Sequence, residues 1–187
     1  GPLADVAREK LLTDYPDKYG CPQLDSQLDE VDKYKKSTAA VRISSIREII
    51  DKGKHALLEV MPNAVDRLNY AQFYPIVILM RAENKSIIKE LRMRSSKTVG
   101  KSSRKLYEQS VKLEKNWSHI FTATITLTNA DMWYKKLREI IEIQQHQAIW
   151  VSQTKPEEMI SDDFLFPTTS RLSYASSPES DLDISND

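Results

Sequence analysis

The chain has 187 residues, of which 40% are hydrophobic and 29% charged, and its 27 cationic and 27 acidic side chains give a net charge of zero. This length suits one α/β domain with a tail, and no apolar run approaches the ~20 residues that a membrane-spanning helix needs. Cys21 is the only cysteine, which excludes an internal disulfide and a thiolate metal cage and is typical of a reducing compartment. The three histidines lack the spacing of a metal site.

The first half of the chain predicts short elements separated by polar connections. In chain order, we expect a helix over residues 5–14, a polar loop or reduced subdomain over 15–40, an extended piece over 41–43, a helix over 44–53, a buried strand over 56–60 and a helix from Asn63. Pro16 ends the first helix, because proline lacks a backbone N–H and clashes with the preceding turn. Ser44 is the expected cap of the second helix and Gly53 its expected end.

The second half of the chain alternates strands with helices. In chain order, we expect a strand over 75–80, a helix over 85–94, a Ser- and Gly-rich break over 95–100, a helix over 102–116, a strand over 121–127, a helix over 130–145 and a strand over 148–152. This alternation predicts an α/β fold with a mostly parallel sheet flanked by helices. From residue 153 onward the chain is rich in Ser, Pro and Asp, and we expect it to be mostly disordered, with a few apolar side chains available for docking.

The net charge of zero hides an asymmetric distribution along the chain. Between residues 81 and 115, eleven cationic side chains face four acidic ones. Between residues 155 and 187, eight acidic side chains face two cationic ones. A basic middle and an acidic end indicate either a fold-back contact within the chain or an acidic partner.

The cations of the predicted 102–116 helix and its flank lie on one side. At ~100° per residue they fall within an arc of roughly 100°, and the apolar residues lie nearly opposite. The cations are Lys101, Arg104, Lys105, Lys112 and Lys115. The apolar residues are Leu106, Leu113, Trp117 and Ile120. Lys85, Lys89 and Arg92 line up similarly on the preceding helix, while Glu108 lies inside the basic arc and weakens its field.

Several kinds of surface carry this pattern. It is found on solvated helix faces, on sites for acidic protein segments, on surfaces that contact acidic lipid headgroups and on nucleic-acid-binding faces. Nucleic acid is disfavoured, because no aromatic residues are interleaved with the cations and the whole chain is neutral.

The opening residues, GPLADVAREKL, have the layout of a phosphate-binding loop without its working side chains. In the pattern G-x-x-x-x-G-K-[ST], the backbone cradles phosphates, the Lys reaches them and the hydroxyl holds magnesium. The last three positions of that pattern carry Val6, Ala7 and Arg8 here. We therefore expect no catalytic residue, no nucleotide cofactor and no metal.

Three segments are similar to successive strand–helix units of guanylate-kinase-like domains. They are residues 56–68 (ALLEVMPNAVDRL), 74–94 (YPIVILMRAENKSIIKELRMR) and 121–141 (FTATITLTNADMWYKKLREII). The opening GPLADVAREKL and residues 102–115 (SSRKLYEQSVKLEK) resemble more closely the zonula occludens scaffolds of cell–cell junctions. The resemblance covers about residues 1–152.

The resemblance implies three parts of the chain. Residues 1–147 correspond to a guanylate-kinase-like domain of the P-loop type with a truncated nucleotide-binding arm, whose first strand is expected just upstream. Residues 148–152 correspond to the strand that returns to complete an upstream SH3 domain. Residues 153–187 form an acidic, Ser-rich tail.

The resemblance also implies that the domain is not an enzyme. About thirty residues stand where active guanylate kinases have their nucleotide-binding arm, and none of the family's guanine or phosphate ligands is matched among them. Arg94, Arg104 and Lys105 correspond to positions near the family's lid, but phosphoryl transfer depends on positioning that a lid alone does not supply.

The implied function is a scaffold module that is cytoplasmic and peripheral at the plasma membrane of cell–cell junctions. Its implied partners are acidic helical cytosolic segments of junction membrane proteins (occludin-like), actin-linked adaptors such as catenins, and its own SH3 domain, without nucleic acid. The implied protein-binding residues are Lys85, Lys89, Arg92, Lys101, Arg104, Lys105, Lys112 and Lys115. An acidic-lipid surface, a residual nucleotide sensor and a purely architectural role are the alternatives. We also hypothesise that the acidic tail competes for the basic residues.

Overall fold

The computed structural model describes residues 1–25, 40–94, 102–128, 132–151, 153 and 165–167, with 24–25 and 165–167 described by their backbone. The helices of this described part are α1 (Ala4–Asp14), α2 (Ile43–Asp51), α3 (Ala64–Tyr70), α4 (Lys85–Met93), α5 (Ser103–Trp117) and α6 (Trp133–Gln145). Its strands are β1 (Tyr19–Gly20), β2 (Leu24–Asp25), β3 (Ala40–Arg42), β4 (His55–Ala56), β5 (Ile78–Ala82), β6 (Ala123–Leu127) and β7 (Leu165–Pro167). Among the described helices, none is long and apolar enough to cross a membrane.

The strands pair in three groups. Strands β5 and β6 are parallel, from Ile78 opposite Ala123 to Ala82 opposite Leu127, and β1 and β4 form a second parallel pair. Strand β3 lies between β2 and β7 and is antiparallel to both. Parallel strands connected through helices confirm the predicted α/β class.

The main core lies between the β5–β6 pair and helices α1, α4 and α6. Ile88 on α4 and Leu127 on β6 are fully buried in it, together with Leu3 just before α1. A second cluster joins β3, α2 and α3 through Val41, Ile46 and neighbouring apolar residues. The amino end of α1 and the inner face of α4 therefore belong to one packed unit.

The predicted helices are confirmed with shifted ends, and one predicted cap is wrong. Helix α2 begins at Ile43, so Ser44 lies inside the helix, and the cap position Arg42 makes no side-chain capping bond. Gly53 follows that helix with a φ of 72°, as expected for a residue that adopts the left-handed conformation without a Cβ clash.

One predicted strand is shorter than expected, and another does not form over its described residues. Strand β4 covers only His55–Ala56, because its partner β1 is itself two residues long. Residues 148–151 form no strand and are exposed, with Trp150 at 100% exposure. A strand needs a partner for its backbone groups, and the described chain supplies none at this position.

The tail departs from its prediction at one place. Residues 154–164 and 168–187, for which we predict mostly disorder, lie outside the described residues, as does the predicted break over 95–100. Leu165–Pro167, however, forms strand β7 against β3. The prediction of disorder is therefore wrong for these three residues.

Helix α4 has a capped start that allows a matched stability test. The Asn84 side chain accepts hydrogen bonds from the backbone N–H of Ser86 at 3.0 Å and of Ile87 at 3.1 Å. Asn63 holds the equivalent position before α3 but makes no such bond. We predict that Asn84→Ala lowers the free energy of unfolding by about 1 kcal/mol, because two helix N–H groups lose their acceptor.

Urea denaturation of the two single variants measures this difference. Asn63→Ala is the control, and its stability is expected to stay close to that of the parent chain. Equal losses in both variants would contradict the capping role of Asn84.

Candidate functional site

The amino end of α1 occupies the place of the predicted phosphate loop. Pro2 and Leu3 are buried and lead directly into the helix at Ala4. Ala7, which stands at the position of the phosphate-binding lysine, is 6% exposed and faces the core. The position of the phosphate-binding lysine therefore supplies no cation to a phosphate.

An ion pair with a buried arginine lies at this end of the helix. The Arg92 guanidinium on α4 donates to both carboxylate oxygens of Asp5, from Nη1 to Oδ1 at 2.9 Å and from Nη2 to Oδ2 at 3.0 Å. Its Nη1 also donates to the carbonyl oxygen of Pro2 at 3.1 Å. Arg92 is only 7% exposed, whereas the Asp5 side chain is 35% exposed, so this bidentate contact is partly removed from water.

The position of Asp5 explains why the contact forms. A helix amino end carries partial positive charge and unsatisfied N–H groups, which favour an anion in the first turn. Asp5 lies in the first turn of α1 and supplies that anion from within the chain, while Arg92 balances its charge. An incoming phosphate would meet a carboxylate that is already paired with the nearest buried cation.

A second ion pair involves the position of the magnesium-binding hydroxyl. Arg8 stands there, and its Nη1 lies 2.9 Å from Oε2 of Glu59, with both side chains partly shielded. At the three positions where a phosphate loop has its working residues, Val6 and Ala7 pack with the core and Arg8 pairs with Glu59.

Helix α5 presents the predicted basic arc on its outer side. Leu106 and Tyr107 pack against the main core. Ser110, about one helical turn after Leu106, is also buried, at 5% exposure. Arg104, Lys105, Lys112 and Lys115 are all exposed. The predicted amphipathic division of this helix is confirmed, and we call the exposed Arg104, Lys105, Lys112 and Lys115 the basic face.

The acids of α5 are held by arginines. Glu108 accepts from Arg104 Nε at 2.8 Å, and this contact raises the pKa of the fully exposed Arg104 guanidinium. Glu114 accepts from Nη1 of Arg81 at 2.9 Å. Within the described part of the chain, Lys105, Lys112 and Lys115 have no acidic partner, so their charges face solvent uncompensated by a direct contact.

The remaining predicted cations divide into three groups. Lys85 and Lys89 are exposed on α4, which packs against α5. Arg92 points inward to Asp5 instead, so its burial removes it from any surface that a partner contacts. Lys101 lies outside the described residues.

Sequence reasoning missed the acidic members of these contacts. Asp5 pairs with a residue 87 positions away, and Glu114 pairs with Arg81 33 positions away. The only local signal was the acid in the first turn of a predicted helix, a position that the helix dipole favours.

Comparison with known proteins identifies the fold family. The guanylate kinase family model matches residues 6–144. Curated relatives include tight junction protein 1 of the dog, 48% identical over 97% of this chain, and human tight junction protein 2, 44% identical over 87% of it. Human tight junction protein ZO-3 is 38% identical over 89% of the chain.

A solved structure agrees with these matches. The crystal structure of the SH3-kinase fragment of tight junction protein 3, in its apo form, superposes with a TM-score of 0.67 at 39% identity and covers 82% of this chain and 58% of that one. The chain spans 10%, 13% and 18% of the lengths of the three curated relatives.

The Asp5–Arg92 pair is expected to be a major source of local stability. Asp5→Ala leaves a buried guanidinium without its anion, and we predict a loss of about 3 kcal/mol in the free energy of unfolding. Adding Arg92→Met removes the unpaired charge, so the double variant is expected to lose less than the sum of the two single variants.

A double-mutant cycle by urea denaturation measures this coupling. The control cycle uses Arg104→Ala and Glu108→Ala, an exposed pair for which we expect no coupling above experimental error. A coupling between Asp5 and Arg92 as small as that of the control would contradict the closed phosphate position.

Proposed function

The chain belongs to the guanylate kinase family, and we propose that it works as a catalytically inactive binding module of a tight-junction scaffold. The observation that carries this proposal is that neighbouring helices combine an internally paired phosphate position with an exposed basic surface. The inner side of α4 closes the phosphate position through Arg92, and the outer sides of α4 and α5 carry exposed lysines.

The loop at the start of α1 supports the absence of kinase chemistry. Phosphoryl transfer relies almost entirely on positioned cations and on charge stabilisation of the transferring group. Ala7 provides no cation, Arg8 is paired with Glu59, and Arg92 is paired with Asp5. Each of these three positions is therefore either uncharged or paired with an acidic residue of its own chain.

The basic face supports binding of an acidic partner. Lys105, Lys112 and Lys115 lie on one side of a helix that the core holds in place through Leu106 and Tyr107. Exposed charges on a rigid helix steer an oppositely charged surface and set its orientation, with an effect that salt screens. An acidic helical segment matches such an elongated face.

A protein partner is favoured over nucleic acid. The aromatic residues of α5, Tyr107 and Trp117, are both partly buried, so neither presents a fully exposed ring on which a base stacks. Stacking platforms interleaved with cations are the usual feature of single-strand binding.

The family resemblance supports the identity of the partners. We propose that the basic face binds acidic helical cytosolic segments of junction membrane proteins of the occludin type, and that the module also contacts actin-linked adaptors such as catenins. This role places the chain on the cytoplasmic side of the plasma membrane at cell–cell junctions. The tight-junction names of its relatives support that location.

The exposed apolar residues after α6 support a second contact. Ile149, Trp150 and Val151 are between 57% and 100% exposed and form no strand. The matching solved fragment contains an SH3 domain together with the kinase-like part. We propose that residues 148–152 return to an SH3 domain upstream and become a strand there.

Acidic lipid headgroups are the alternative ligand for the same cations. Met93 and Val111, which are 68% and 48% exposed, lie one helical turn from Lys89 and Lys115 respectively, and this mixture of apolar and cationic side chains also suits a membrane surface. Co-sedimentation with vesicles of increasing phosphatidylserine content distinguishes this alternative from protein binding.

The basic face is tested by charge reversal, with a control variant of the same net charge. We predict that Lys105→Glu/Lys112→Glu weakens the binding of an acidic helical occludin-type segment by at least about tenfold, because two attractive contacts become repulsive. Isothermal titration calorimetry at two salt concentrations measures the change. The control Lys52→Glu/Lys136→Glu changes the net charge by the same amount at exposed lysines elsewhere, just after α2 and on α6, and is expected to bind like the parent chain. Equal weakening in both variants would show that total charge alone drives binding.

The loss of nucleotide binding is tested by thermal unfolding. A ligand at 100 times its Kd stabilises the folded state by about 2.7 kcal/mol, which shifts the melting temperature measurably. We predict no shift with millimolar GMP or MgATP, since the phosphate position is closed. An active guanylate kinase measured alongside provides the positive control, and a shift in this chain would contradict the proposal.

A further inference from the structure

The tail of the chain supplies one strand of the sheet around β3. Strand β7 is antiparallel to β3, with Ala40 opposite Pro167, Val41 opposite Phe166 and Arg42 opposite Leu165. The other side of β3 is paired with β2, where Leu24 lies opposite Val41. Among the described strands, the second side of β3 is therefore paired by a segment more than 120 positions later in the sequence.

The register determines which residue of β7 lies on the inner face. Residues directly opposite each other in neighbouring strands share one face of the sheet. Val41 is 2% exposed and belongs to the cluster formed with α2 and α3. Phe166 consequently lies on the same face as Val41, whereas Leu165 and Pro167 lie on the opposite face.

The pairing has the properties of a reversible attachment. Strand β7 is only three residues long, and a strand of this length adds few backbone contacts. Eleven residues separate it from Gln153 in the sequence, a length of chain that spans at most about 40 Å. Because both strands belong to one chain, their pairing is intramolecular and has a higher effective concentration than pairing with a separate peptide, which allows weak pairing to persist.

We propose that the outer edge of β3 is a strand-addition site and that Leu165–Pro167 occupies it as a detachable clasp, in the register that sets Phe166 opposite Val41. Sheet edges present unpaired backbone groups and bind extended segments by adding a strand. The clasp covers such an edge with the chain's own tail. This inference rests on the pairing of β3 with β7 and is independent of the basic face.

The clasp also changes how the acidic tail is to be studied. Deleting everything after residue 152 removes β7 together with the acidic residues, so it exposes the β3 edge and alters charge at once. A test of competition between the tail and the basic face needs charge substitutions that retain Leu165–Pro167.

Hydrogen–deuterium exchange on the full chain tests the clasp. We expect Phe166→Asp to increase exchange of the β3 amides by about tenfold or more, because the edge then opens more often. Leu172→Asp introduces the same charge six positions later and is the matched control, expected to exchange like the parent. Exchange at β5 and β6 is expected to stay the same in both variants. Unchanged β3 protection in Phe166→Asp would overturn the proposal.

Adding the segment as a separate peptide tests whether the edge is a binding site. A synthetic peptide of residues 161–170 is expected to restore β3 protection in the Phe166→Asp chain, while the same peptide carrying Phe166→Asp is not. Failure of the parent peptide at millimolar concentration would overturn the strand-addition site. Protection in the parent chain is expected to be independent of protein concentration, and a rise with concentration would overturn the assignment to the chain's own tail.

Discussion

The buried contact between Arg92 and Asp5 is the interaction on which the functional interpretation depends. A helix amino end in the core requires an anion or other acceptor for its N–H groups. In this chain the anion is the Asp5 carboxylate, and a guanidinium that is almost completely buried balances it. Because the charges compensate each other internally, the helix end is satisfied without a phosphate.

The same helix connects the closed site with the exposed surface. One side of α4 carries Ile88 and Arg92 into the core, and the other carries Lys85 and Lys89 to solvent. Helix α5 repeats this division, with Leu106 inward and Lys112 outward. A fold that holds these helices rigidly in place can lose its loop chemistry and keep a stable surface for partners, because core packing and surface charge depend on different faces.

The sequence predicted what local patterns determine. Helix α4 was predicted over residues 85–94, and α5 was predicted from the separation of Leu106 from the lysines, whereas the Asn84 cap was found only in the structure. Arg92 was placed with those lysines because the helical wheel brings it near Lys85, and only Asp5, 87 positions away, explains why it turns inward. Strand β7 was missed for the same reason: its partner lies far along the sequence, and three residues in a polar tail carry no strand periodicity. At residues 148–152 the local sequence predicted a strand that the structure does not form over 148–151. A sequence suited to a strand forms one only when a partner strand is present.

The most direct test of the account is an amide chemical-shift map of the labelled chain titrated with an acidic helical occludin-type segment. The account predicts salt-sensitive shifts that concentrate on the outer residues of α4 and α5, around Lys89, Lys105 and Lys112, and leave residues 1–8 unchanged. Shifts centred on the amino end of α1 and on Arg92, with the outer helix surfaces unaffected, would contradict it.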